Sequence, residues 1–193
     1  MSRLLSEPEV DKIISKLVRR LEAKKVFDSI EEEIKQKSSE KWDILAKRSV
    51  GKITKQVVHE AYPEADLEKV VYVEKKSVRF ENFLGDFIAE KKPYELFGGL
   101  GVYPDIAIRL PSAKSKLIYI ELDNGYTGAK LKTALSKAAF GYIAGDCDYC
   151  LEIFHNRGNR KLAMFLKKPK EKAILEKFEK VFHTKLVLFE ENA

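Results

Sequence analysis

The chain has 193 residues, 45% of them hydrophobic and 34% charged, with 36 Lys and Arg against 30 Asp and Glu and a net charge of +6. That composition carries one sizeable core and excludes a disordered chain or a polycation, while the basic excess suits a polyanionic partner without requiring one. No apolar run reaches bilayer-spanning length and the N-terminus lacks a secretory pattern, so the expectation is a cytoplasmic protein with no membrane role.

Ser6-Glu7-Pro8-Glu9 reads as a capping box, and Val10, Ile13, Ile14, Leu17, Val18 and Leu21 follow at helical spacing. The charged stretch "SIEEEIKQKSSEK" contains an expected turn at Ser38 and Ser39. Trp42, Leu45, Ile53, Val57, Val58 and Ala61 then mark a second long helix ending before Pro63. Lys41, Lys47, Arg48, Lys52 and Lys55 dot its surface, which reads first as a solvated face and second as a phosphate-binding one. Residues 1–65 are thus a helical N-terminal region, and 70–193 form the core of a single domain.

"VVYVE" at 70–74 reads as a strand, and "SVRFENFLGDFIAEKK" as a helix with Phe80, Phe83, Leu84 and Phe87 inward. "LFGGLGVYP" reads as a glycine loop, not a phosphate cradle, because no Gly-Lys-Ser/Thr and no helix follows. "DIAIRL" and "KLIYIEL" are two strands joined by the turn-prone "PSAKS". Leu131, Ala134, Leu135, Ala138, Ala139, Tyr142 and Ile143 define a helix packed on a sheet; "YCLEIFH" and "LAMFLKK" read as strands, residues 170–182 as a helix and "KLVLFE" as a further strand. The fold class is α/β or α+β, a central mixed sheet flanked by helices.

Cys147 and Cys150 form one C-x-x-C. Zinc would need two more ligands, and His59, His155 and His183 are scattered; a redox role would need the motif to open a helix. Thiols packed in and beside a strand are the better reading.

Asp105 opens the first strand of the hairpin, while Glu121 and Asp123 end the second. A turn centred near Ala113 pairs Ile106 with Ile120 and Ile108 with Ile118, which sets Asp105 roughly opposite Glu121. Glu121 and Asp123 then share a face, and Leu122 points to the other layer. Carboxylates so close repel unless a cation lies between them, and Mg²⁺ accepts one or two carboxylates with waters and phosphate oxygens. The plainer reading makes Asp105 a turn cap and the others solvent-facing acids.

"YPDIAI…IYIELDN" resembles the active-site motif of the PD-(D/E)XK nuclease superfamily, which is restriction-endonuclease-like: Pro-Asp opening one strand, acid-x-Lys closing the next, then a helix. Pro104, Asp105 and Glu121 match; Asp123 stands where most members have lysine, as a non-lysine residue does in restriction enzymes of the BamHI and BglII kind. The resemblance spans about residues 78–155. It implies Asp105, Glu121 and the Leu122 backbone carbonyl as ligands of Mg²⁺, with Mn²⁺ a possible substitute, and Glu81 as a further acid. Asp123 would act as a base or help bind a second metal, or Lys130 or Lys132 would replace the motif lysine; Lys137 lies on the same flank as Lys130. The implied function is a divalent-metal-dependent DNA endonuclease, a type II restriction enzyme or related DNA-processing nuclease, acting as a homodimer on duplex or branched DNA. The alternative is a non-catalytic DNA-binding module with a degenerate site, and behind it a protein-binding scaffold.

Overall fold

A computed structural model describes residues 8–36, 41–75, 79–84, 103–111, 116–125, 127–156, 164 and 166–190, with the side chains of Glu81, Asn156 and Glu190 outside that description. Three helices come first: α1 (Pro8–Ala23), α2 (Val26–Gln36) and α3 (Trp42–Ala61). In α1, Val10, Ile13, Ile14, Leu17 and Leu21 form one apolar stripe and are all buried, which is the helical period at work. The acid-rich segment after it is a helix of its own, α2, whose Val26, Phe27 and Ile30 face the core. Sequence reading missed it because the polar face dominates so short a helix. The expected capping box and the turn at Ser38 and Ser39 lie outside the described residues, as do Phe87 and most of the glycine loop.

Next come α4 (Leu67–Val70), β1 (Val71–Val73), α5 (Phe80–Leu84), β2 (Ile106–Leu110), β3 (Lys116–Asn124), α6 (Gly128–Ala144), β4 (Tyr149–Asn156), α7 (Pro169–Val181) and β5 (Thr184–Glu190). The five strands make one mixed sheet in the order β1-β2-β3-β4-β5. β2 runs antiparallel to both its neighbours, β1 and β3; β3, β4 and β5 run parallel, joined through α6 and α7. Parallel neighbours need a crossover, and these helices supply it. Ile106 pairs with Ile120 and Ile108 with Ile118, the register read from the turn.

The alternation of each strand sorts side chains into two layers. Ile106, Ile108, Ile118, Ile120, Leu122, Leu151 and Ile153 join the core under α1, α2 and α3. Ala107, Leu117, Tyr119 and Cys150 turn to the other side, with Phe80, Leu84 and Ala138. Helix α6 lies close on that side because Ala134, Ala138 and Gly141 are the residues it buries. Thr127 caps its start by accepting the Lys130 N–H at 3.1 Å, and Gly145 at φ 77° ends it in the left-handed conformation that glycine adopts without cost.

Two expectations are corrected. Ile143 is 68% exposed, not core, since the buried stripe of α6 ends at Gly141. Met164 and Leu166, the described part of "LAMFL", are helical and not a strand. No described helix is long and apolar enough to cross a membrane.

α3 crosses β1 so closely that a Cβ added at Gly51 would meet Val73 Cγ2 at 2.6 Å. In an open helix Gly→Ala stabilises by about 1 kcal/mol, but overpacking against a stiff β-branched side chain costs about 1–3 kcal/mol. Gly51→Ala should therefore lower the urea midpoint, whereas Gly51→Ala/Val73→Ala should be no less stable than Val73→Ala alone. A rise in stability for the single variant would contradict the close crossing.

Candidate acidic site at the end of the central sheet

Asp105 is the residue before β2, and its carboxylate does the work of the next ladder bond: Oδ2 accepts the Leu122 N–H at 2.8 Å. Its carbonyl accepts the Glu74 N–H at 2.8 Å, so β1 is tied to the same point. The second oxygen, Oδ1, lies 2.8 Å from Lys47 Nζ, and Lys47 also bonds Glu74. Burial raises the Asp105 pKa, partly offset by Lys47 and the Leu122 bond. For Lys47, desolvation disfavours the charge but the bonds to Asp105 and Glu74 outweigh it, and its pKa is raised.

Glu121 is 8% exposed and faces α6. Burial drives its pKa up to about 8; Lys137, whose Nζ is 3.5 Å from Oε2, pulls the other way, and Asp105 and Asp123 push it further up. Its Oε1 is buried with no hydrogen-bond partner among the described residues. Beside it, in register on β4, stands Glu152, 1% exposed, with its pKa pushed well up by burial and by Glu121. The Cys150 thiol donates to Glu152 Oε1 at 3.4 Å and is itself held protonated by burial. Cys147 and Cys150 are both buried thiols.

The remaining sequence candidates separate. Asp123 is further toward the strand end, 3.4 Å from Lys130 Nζ, and Lys130 also donates to the Asn124 carbonyl. Lys132 is exposed on α6, with no hydrogen bond or ion pair among the described residues. Glu81 belongs to α5, but its side chain lies outside the description. The Leu122 carbonyl points to the same side as its N–H, toward β2 and Asp105, as both groups of a strand residue do.

The structure thus brings together Asp105, Glu121 and the Leu122 backbone, and adds Lys47, Glu74, Lys137 and Glu152. Lys47 and Lys137 are visible in the sequence only as helix-face lysines, and Glu152 only as the charged residue at a period-two position of an apolar strand; nothing local pairs either lysine with its acid. Lys47 and Glu74 meet Asp105 across the fold, with no local signal of the meeting.

Among the described residues no group of three or more His, Cys, Asp and Glu is arranged to hold a metal ion. The smaller set of two carboxylates and one carbonyl matches the protein share of a Mg²⁺ site, which keeps waters and substrate oxygens. The buried, unpartnered Glu121 Oε1 and the mutual repulsion of Glu121 and Asp105 are what a cation would relieve. The donor chemistry fits.

No protein-family model, curated protein or solved structure matches the chain.

A carboxyl whose folded pKa is raised binds more protons folded than unfolded between the two values. Its stabilisation is complete below about pH 4.5 and is lost as pH rises through about 8. The urea midpoint of the wild type should fall across that window, by on the order of a few kcal/mol in stability. Glu121→Gln should flatten the fall without abolishing it, because Asp105 and Glu152 are raised too. Parallel pH profiles for the two proteins would sink the buried-carboxyl assignment.

Proposed function

We propose that the protein is a divalent-metal-dependent endonuclease that hydrolyses the phosphodiester backbone of DNA, related to the PD-(D/E)XK superfamily. The observation that carries this reading is Glu121: a buried carboxyl with an unpartnered oxygen, raised to about pH 8 and set beside Asp105 at one end of a rigid sheet. Further support is the order of parts, with Asp105 opening one strand, Glu121 near the end of its antiparallel partner, and a helix following. Asp105, Glu121 and the Leu122 carbonyl would hold Mg²⁺ or Mn²⁺. When bound, such an ion polarises a phosphoryl oxygen and lowers the pKa of a water.

The chain's own residues account for the missing motif lysine. Asp123 supplies no positive charge, and Lys130 is engaged with it. Lys137 stands two helical turns on, paired only loosely at 3.5 Å with Glu121 and with its pKa raised chiefly by that carboxylate. With Glu121 engaged by a divalent ion, Lys137 would remain a charged group beside the acids, placed to offset the charge that develops as water attacks phosphorus, one ester P–O bond breaks and the leaving oxygen takes up a proton. Lys137, and not Lys130 or Lys132, is therefore the proposed replacement. Cutting both strands of a duplex calls for two such sites, most simply in a homodimer.

A second reading has its own observation. Lys47 on Asp105, Lys137 on Glu121 and Lys130 on Asp123 give every acid of the motif a lysine, which suits a DNA-binding module with no metal.

Supercoiled plasmid incubated with Mg²⁺ or Mn²⁺ separates the two. The nuclease reading expects nicking or linearisation by wild type, its disappearance in Glu121→Gln and Asp105→Asn, and a drop of about 10²- to 10³-fold in Lys137→Ala, the usual cost of removing one transition-state charge partner. Equal cleavage by wild type and Glu121→Gln, or none with either metal on any DNA form, would reject it.

A further inference from the structure

A groove of about 980 Å³ runs between α3 and the outer edge of β1. Its basic lining is Lys47, Arg48, Lys52, Lys55 and Lys75, against the acids Asp43 and Glu74. Ile44, Leu67 and Val73 supply the apolar part of the lining, and Ile44 is 55% exposed. We propose that this groove binds a short single-stranded stretch of DNA and leads it to the acidic site. Where the strand is led rests on the nuclease reading; that it is bound rests on the groove alone.

Charge complementarity identifies the occupant. Arg48, Lys52 and Lys55 recur at four- and three-residue steps, one stripe about 10 Å long on α3. A stripe of that length meets more than one phosphate of a strand laid along it. Lys52 is exposed with no ion pair among the described residues. Arg48 pairs with Glu33 at 3.2 Å and Lys55 with Glu68, which is 80% exposed. Exposed pairs of this kind are weak, and a phosphate competes with the carboxylate.

The shape selects a single strand. The volume is at the upper end of clefts that take a small molecule, room for a few nucleotides and not for a turn of duplex. Apolar side chains beside basic ones in a single groove suit unpaired bases and sugars together with their phosphates. The groove shares residues with the acidic site: Lys47 and Glu74 line it, and Lys47 Nζ is 2.8 Å from Asp105.

The test measures binding without cleavage. A labelled single-stranded oligonucleotide of about 12 nucleotides, within the span of one single-strand site, is titrated in EDTA with full-length Glu121→Gln protein, and anisotropy is read over a salt series. Adding Lys52→Ala/Lys55→Ala should weaken binding about tenfold at low salt and reduce the slope of log affinity on log salt by about 1.4, or 0.7 per lost phosphate contact. Lys52→Arg/Lys55→Arg should keep the affinity, and a Lys172→Ala/Lys177→Ala control on exposed α7 should leave it unchanged. Unaltered affinity in the alanine pair, or an equal loss in the α7 control, overturns the proposal. So does blunt duplex binding as tightly as the single strand, or an acidic polyglutamate peptide displacing the oligonucleotide as well as unlabelled DNA does. A groove that binds DNA in a protein that cuts none would count against the nuclease alone.

Discussion

β3 is paired antiparallel on one edge and parallel on the other, and the candidate site depends on that position. A strand in the middle of a sheet with helices on both faces has no exposed surface, so each side chain must enter one layer or the other. Ile118, Ile120 and Leu122 enter the core beneath α1, α2 and α3, while Leu117, Tyr119 and Glu121 turn toward α6. Glu121 has no solvated alternative at that position. Its parallel neighbour Glu152 is subject to the same constraint, and the two carboxyls are buried side by side.

Burial is the largest influence on Asp105, Glu121 and Glu152, and each raises or is raised by an acidic neighbour. The fold counters this repulsion with lysines from outside the sheet, Lys47 from α3 and Lys137 from α6. Two helices on opposite faces therefore each bring an ammonium group to the acids toward one end of β3. A cation entering between the acids would compete with both.

Lys47 has a place in two features. It pairs with Asp105 at the acidic site and also lines the groove beside β1. Gly51, one turn further along α3, allows the helix to approach Val73 closely enough to form that groove's wall. A lysine-dotted helix whose obvious role is solvation thus lines a concave surface that shares Lys47 with the acidic site.

Pattern along the chain was enough for the sheet-and-helix class, the helices around Leu17 and Val57, and the hairpin register from Ile106 to Ile120, because periods of two and 3.6 are local and a short connection sets a register. It also determined that Asp105 and Glu121 would meet and that Asp123 would share Glu121's face. It did not reveal α2, whose apolar stripe is short, and it misjudged Ile143, which faces outward, and Met164 and Leu166, which are helical. Which lysine meets which acid was decided only by the tertiary structure. Lys47 is far from Asp105 along the chain, and Lys137 reaches Glu121 where Lys130 and Lys132 do not, because the crossing of α6 over β3 and β4 sets which of its turns lies above the acid. Charge partners across a fold leave no periodic mark on the chain, so packing alone selects them.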